Sequence, residues 1–156
     1  VLNPREAGGE PVADLRVRHA PLRGIRIPEE QVPLAIDEFP ALFIAAACAD
    51  GETLLTGAEE LRIKESDRIQ VMARGLMALG IDNQPLPDGI LIRGGSPRGG
   101  EIDSQGDHRI AMSFAMAAPR AGGPIRIHDC ANVRTSFPGF VALAAGAGLG
   151  IEEFAS

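Results

Sequence analysis

The chain is expected to fold as an α/β protein built from two repeated βαβαβ-like units, with buried helices packed inside sheets. Three observations predict this. Segments with strand alternation and segments with helical spacing succeed one another from end to end. Two helical stretches, Phe39 to Ala49 and the body of GDHRIAMSFAMAA, are apolar on nearly every side and so belong in an interior. Sliding the sequence 72 residues against itself lays Ala45, Ala46, Ala49 and Gly51 on Ala117, Ala118, Ala121 and Gly123, and Arg62 on Arg134. The order helix, strand, loop, helix, strand agrees on both sides of that shift.

The elements follow from local chemistry. Pro4, Gly8, Gly9 and Pro11 make residues 1–11 a loop, and Leu15 and Val17 alternate with Arg16 and Arg18 as a half-buried strand. Ile25 and Ile27 form a second short strand that Pro28 ends. Asp37 can cap a helix whose first turn holds Pro40, where proline is tolerated, and Gly51 closes it. Thr53 to Thr56 reads as a strand. Ile69, Met72, Leu76 and Leu79 then mark one helical stripe, with Ser66 as N-cap and Gly80 as its end. Ile81 to Asn83 and Ile90 to Arg93 read as strands around a PLPDG turn, and Gly94 to Gly100 as a flexible loop. Asp107 caps the next helix, which Gly122 and Gly123 end, and Ile125 and Ile127 mark a strand. TSFPGFVALAAGAG is a fourth helix, capped by Thr135 or Ser136 with Pro138 in its first turn, and Leu149 to Phe154 a last strand.

Composition narrows the function. A chain of 156 residues with 45% apolar content can bury a real core, as a single domain over residues 1–156. A net charge of −6 argues against non-specific nucleic-acid binding, and without Trp or Tyr the chain has few base-stacking platforms. Cys48 and Cys130 lie far apart among apolar residues, so a reducing cytoplasm is expected. No apolar run reaches membrane-spanning length, and no signal-peptide pattern opens the chain. Starting at Val1 rather than Met, it is expected to be a piece of a longer polypeptide.

The polar chemistry gathers at three helix starts. The first carries Asp37, the second Lys64, Glu65 and Arg68, the third Asp107, His108 and Arg109. Free N–H groups and the positive dipole end make such places anion sites. Lys64 and Arg68 reach one anion together if the first turn begins near Lys64. The 72-residue shift makes Asp37 and Arg109 equivalent, which puts them at the same end of the domain. Cations there suit a phosphorylated or carboxylated substrate, and carboxylates among them suit acid–base work. Plainer readings stand beside this one: Asp37 and Asp107 as simple caps, His108 as a surface residue beside a helix dipole, Arg62 and Arg134 as loop pins. The scattered His19, His108 and His128 supply no metal set, and no phosphate-binding glycine loop is present.

AIDEFP, LRIKESDRI, GDHRIAMSFA and TSFPGF, in this order and spacing, resemble the 5-enolpyruvylshikimate-3-phosphate synthase family, and the likeness covers essentially the whole chain. Members have two similar domains, each of three βαβαββ copies, with the active site between them. The resemblance implies the C-terminal part of such an enzyme. Its substrates would be shikimate-3-phosphate and phosphoenolpyruvate, its pathway aromatic amino acid biosynthesis, with no cofactor and no metal. It is the class of enzyme that glyphosate targets. It further implies Asp37 as the carboxylate that binds shikimate-3-phosphate and accepts its 5-hydroxyl proton. Glu65 is implied as the acid toward the methylene carbon, and Lys64 as a neighbour of the hydroxyl and the reacting carbon. Arg68 and Arg109, with His108 beside them, are implied to bind phosphoenolpyruvate. A lysine common before the final motif is replaced by Thr135, with Arg134 one residue earlier, so that role is carried to neither. Holding half the cleft, and lacking the N-terminal domain as partner, the piece is expected to be inactive alone. The alternatives are a UDP-N-acetylglucosamine enolpyruvyl transferase or a non-catalytic anion-binding module.

Overall fold

A computed structural model describes residues 1–154. The first element is a hairpin, β1 (Leu2–Ala7) and β2 (Glu10–Asp14), paired antiparallel. The expected loop over residues 1–11 is thus a hairpin instead. Gly8 and Gly9 both take positive φ, 63° and 84°, which suits a tight two-residue turn matched to strand twist. The strand expected at Leu15 and Val17 does not form. Both side chains are exposed, at 75% and 89%, and alternation makes a strand only where a neighbour accepts its hydrogen bonds. Ile25 and Ile27 form no strand, for their segment makes only isolated parallel bridges, Arg23 to Asp50 and Arg26 to Leu54.

Two 3₁₀ turns, Glu29–Gln31 and Pro33–Glu38, lead into α1 (Phe39–Ala47). Pro40 sits in the first turn as expected, but Asp37 is not the cap. It lies in the preceding 3₁₀ turn, Glu38 holds the cap position without a side-chain bond, and the Asp37 carboxylate is released for other partners. β3 (Glu52–Leu55) and a 3₁₀ turn, Glu59–Ile63, precede α2 (Arg68–Ala78). The stripe Ile69, Met72, Leu76 and Leu79 is fully buried. Asp67 rather than Ser66 caps α2, accepting from the Gln70 amide. Its helix therefore begins past Lys64, not near it.

β4 (Asn83–Leu86) and β5 (Gly89–Arg93) form a hairpin, and β3, β5 and β4 make one antiparallel sheet in that order. Pro85, expected in the turn, stands in β4, which is an edge strand and so can lose a donor. Inside the expected loop, Gly100 opens β6 (Gly100–Asp103), which pairs in parallel with β7 (Ile125–His128) across α3 (His108–Ala117). α3 stops before Pro119, earlier than the glycine pair, and passes into a 3₁₀ turn, Ala118–Arg120. The fourth helix splits into α4 (Val133–Ser136) and α5 (Phe140–Gly146). Pro138 forces Phe137 out of the helical region, to φ −139° and ψ 78°. Thr135 and Ser136 lie inside α4, and Gly139 takes the cap of α5 at φ 86°. No strand forms over Leu149 to Phe154, which meets no partner strand among the described residues.

The repeat holds for three pairs of elements, while β6 falls on the 3₁₀ turn Glu29–Gln31 rather than on a strand. A shift of 72 carries α1 onto α3, β3 onto β7 and the start of α2 onto the start of α5. α1, α2 and α3 pack on one another; α1 and α2 also touch the three-stranded sheet, and α2 and α3 touch the β6–β7 pair. The core is thus helical at its centre, with Phe39, Phe43, Phe114, Leu76 and Met72 all at most 1% exposed. Burial of each such side chain contributes about 1.5–3 kcal/mol. Gly75 lets α2 and α3 close up, for a Cβ there would fall 2.3 Å from the Phe114 ring. α1 and α3 start side by side with α2, which brings their N-terminal residues to one end.

Candidate active site

Arg68 is the first residue of α2 and only 1% of its side chain is exposed. A buried cation at a helix N-terminus opposes the dipole, so it needs anionic partners. It has three. Nε donates to Asp107 Oδ2 at 2.8 Å, Nη1 donates to Asp37 Oδ1 at 2.8 Å, and Nη2 bonds Glu65. Burial pushes the guanidinium down, but the bonds to Asp107 and Asp37 and the charge of Glu65 outweigh it, and its pKa is raised.

Asp107 is wholly buried and serves two helices at once. Its Oδ1 caps α3 by accepting from the Arg109 and Ile110 amides, at 3.0 and 3.4 Å. Its Oδ2 accepts from Arg68 and from Ser66 Oγ, the latter at 3.1 Å. Ser66 stands one residue before the cap position, which Asp67 holds, and its hydroxyl donates to Asp107 instead.

Asp37 is the hinge of the exposed side. Beyond Arg68, its Oδ1 lies 3.8 Å from Lys64 Nζ and its Oδ2 lies 3.6 Å from Arg109 Nη2. Arg109 Nη1 donates to the Asp37 carbonyl at 3.1 Å, across a separation of 72 residues, so the two equivalent positions of the repeat touch. The Arg68 bond holds the Asp37 carboxyl below its usual value, helped by the charges of Arg109 and Lys64 against a smaller opposing effect of burial. Lys64 bonds Glu60, and that bond, ahead of the Glu60 and Asp37 charges, raises its pKa.

All six residues singled out in the sequence, Asp37, Lys64, Glu65, Arg68, His108 and Arg109, thus lie at this end of the helices. Five join one ion-pair network. His108 stands half-buried at the first turn of α3, and its ring makes no hydrogen bond among the described residues. The set is more evenly charged than the helix starts suggested, since every cation in it already faces a carboxylate. Asp37 is 43% exposed, Glu65 50% and Arg109 33%, so one face of the network is open to solvent above the buried Arg68–Asp107 pair. Sequence reading missed the second task of Asp107 and the part of Ser66. Neither spacing nor residue type signals a bond between helix starts 39 residues apart. Among the described residues no group of His, Cys, Asp or Glu is arranged to hold a metal, and no helix is long and apolar enough to cross a membrane.

Comparison with known proteins points to one family. The family model for EPSP synthase (3-phosphoshikimate 1-carboxyvinyltransferase) matches residues 5–143. A 3-phosphoshikimate 1-carboxyvinyltransferase of Methylococcus capsulatus is 75% identical over 152 residues, covering 97% of this chain and 35% of that protein. One from Alkalilimnicola ehrlichii is 68% identical over 97% of this chain and 34% of its own length. A solved EPSP synthase from Acinetobacter baumannii superposes with a TM-score of 0.93 at 61% identity, over 97% of this chain and 36% of that one. The chain therefore spans about a third of the length of the relatives it matches. With sequence, fold and element order in agreement, the chain belongs to the EPSP synthase family.

Proposed function

We propose that these residues form the C-terminal portion of a two-domain enolpyruvyl transferase of the cytoplasm. It moves the enolpyruvyl group of phosphoenolpyruvate to the 5-hydroxyl of shikimate-3-phosphate and releases phosphate. The observation that carries the reading is the convergence of Asp37, Lys64, Glu65, Arg68 and Arg109 on one open face. Asp37 accepts the hydroxyl proton as the oxygen bonds to the central carbon of phosphoenolpyruvate. Glu65, released from Arg68, delivers a proton to the methylene carbon. Phosphate then leaves with the proton held by Asp37 and a methyl proton returns to Glu65, which restores the double bond. Lys64 lies beside Asp37 and faces the developing charge.

Arg109 is the accessible arginine and suits the carboxylate or phosphate of phosphoenolpyruvate, with His108 next to it. Arg68 is only 1% exposed beneath its three carboxylate partners, so an anion that meets it displaces one of them rather than filling an empty site. Small anions, not nucleic acid or membrane, are the ligands. An open face needs an opposing wall to exclude water, and the part of such a protein outside these residues supplies it. The portion alone would bind both substrates weakly and not turn over.

The test is a full-length chimera in which these 156 residues replace the matching segment of the Methylococcus capsulatus relative. Phosphate release from phosphoenolpyruvate is followed with shikimate-3-phosphate or with UDP-N-acetylglucosamine as acceptor. Turnover only with shikimate-3-phosphate is expected. Turnover with the nucleotide sugar, or binding of both anions with none, would replace this reading by one of its alternatives.

A further inference from the structure

We propose that Arg62, outside the substrate-facing set, is a positioning residue that clamps the loop carrying Lys64 and Glu65; the inference rests on the functional reading above. Arg62 lies on the 3₁₀ turn just before that loop. Its Nε donates to the Pro87 carbonyl at 2.6 Å and its Nη2 to the Leu86 carbonyl at 2.5 Å, both at the β4–β5 turn. Its Nη1 donates to Asp67 Oδ2 at 2.7 Å. Asp67 spends its other oxygen on the Gln70 amide, capping α2. Arg62 and Asp67 are the two ends of the stretch Ile63 to Ser66. One guanidinium therefore ties both ends of that stretch to each other and to the β4–β5 hairpin.

The stretch has little else to hold it. Ile63 is 81% exposed, so no apolar anchor is buried there. What remains is polar: Lys64 on Glu60, Glu65 on Arg68, and Ser66 on Asp107. Two of those contacts use the groups proposed to meet substrate, which must let go to act. The Arg62 clamp does not. The repeat supplies an internal comparison. Arg134, its equivalent 72 residues on, is 73% exposed and makes a single ion pair with Glu153 at 3.1 Å. At the place of Asp67 the second unit has Gly139, so its arginine lacks that carboxylate, and it is the first unit that carries the lysine–glutamate pair.

A planar fork that spans two carbonyls and a carboxylate has no lysine substitute, because an ammonium is a point charge that meets one of these at a time. In the chimera, Arg62→Lys keeps the charge facing Asp67 and loses the carbonyl bonds. Asp67→Asn keeps an α2 cap, since asparagine caps as well, and loses the ion pair. Both variants are expected to lower kcat per active site about ten- to a hundredfold, the scale on which small displacements of a reacting group cost rate. KM for either substrate should move little, because Glu65 acts in the transition state. Amide hydrogen exchange supplies a second readout that needs no turnover: residues 64–70 should exchange faster while α1 keeps its protection. Unchanged kcat with unchanged exchange over 64–70 would overturn the clamp. So would protection lost throughout α1 and α2, which would make Arg62 a general stabilising residue. An inactive parent chimera would instead count against the functional reading, and the exchange arm would still decide the clamp.

Discussion

Asp107 should be the costliest single residue of the site to change, and the cost can be worked from its bonds. Asparagine in its place keeps one oxygen for the Arg109 and Ile110 amides, so the cap on α3 survives. What it loses is the negative charge facing Arg68 Nε at 2.8 Å, where the two side chains are 0% and 1% exposed. Breaking a buried pair costs about 3–5 kcal/mol. Asp37 and Glu65 still neutralise Arg68 from the solvent side, so the lower end applies, about 3 kcal/mol. At about 2–4 °C per kcal/mol for a domain of this size, Asp107→Asn should lower the Tm by about 6–12 °C. Asp107→Ala also removes the cap and should cost about 1 kcal/mol more. Thermal unfolding of the 156-residue chain by circular dichroism at pH 7 reads both, and the parent is expected to unfold in one cooperative transition. An asparagine variant within about 2 °C of the parent would refute the reasoning, because the pair would then be dispensable.

Three further outcomes follow from the same contacts. Gly75→Ala should destabilise the chain by about 1 kcal/mol despite better helix propensity, because the Phe114 ring is buried and overpacking costs about 1–3 kcal/mol; adding Phe114→Leu should return part of the loss, and a stabilised Gly75→Ala single variant would contradict this. Asp37 has a folded pKa below its ordinary 3.8, so its ion pairs stabilise the fold above that value and are lost as pH falls through the depressed one. Asp37→Asn should therefore be less stable than the parent in urea at pH 7, with the gap closing below pH 3.8, and a gap that widens in acid would reverse the sign. Arg109→Lys in the chimera should raise KM for phosphoenolpyruvate with shikimate-3-phosphate binding little changed, and a parental KM would make Arg109 structural.

Much of this was legible in the residues, and the failures have physical causes. The buried stripe of α2 and the strand Ile90 to Arg93 could be read because periodicity reports the face an element buries. Boundaries at prolines were read less well. Pro85 in β4 and Pro138 between α4 and α5 each have two legitimate uses, and the choice depends on neighbours distant in sequence. Leu15 and Val17 carry a strand pattern with no partner strand among the described residues, so the pattern has nothing to satisfy it. At the site, the residues and their common location could be read from helix starts and the 72-residue shift. The partnering could not. That Ser66 serves Asp107 while Asp67 caps α2, and that Arg68 lies beneath its carboxylates rather than before an open pocket, depends on how three helix ends meet.

The central claim is that the face formed by Asp37 and its cations does the chemistry, and Asp37→Ala in the full-length chimera tests it most directly. Its cost to the fold should be small, because Asp37 caps no helix and is 43% exposed. Circular dichroism should therefore match the parent, with the same modest loss of stability at pH 7 as Asp37→Asn. The account predicts that phosphate release from shikimate-3-phosphate and phosphoenolpyruvate loses most of its kcat, by about 10²–10⁴-fold as for a removed general base. A folded Asp37→Ala variant that turns over at the parental rate would contradict it.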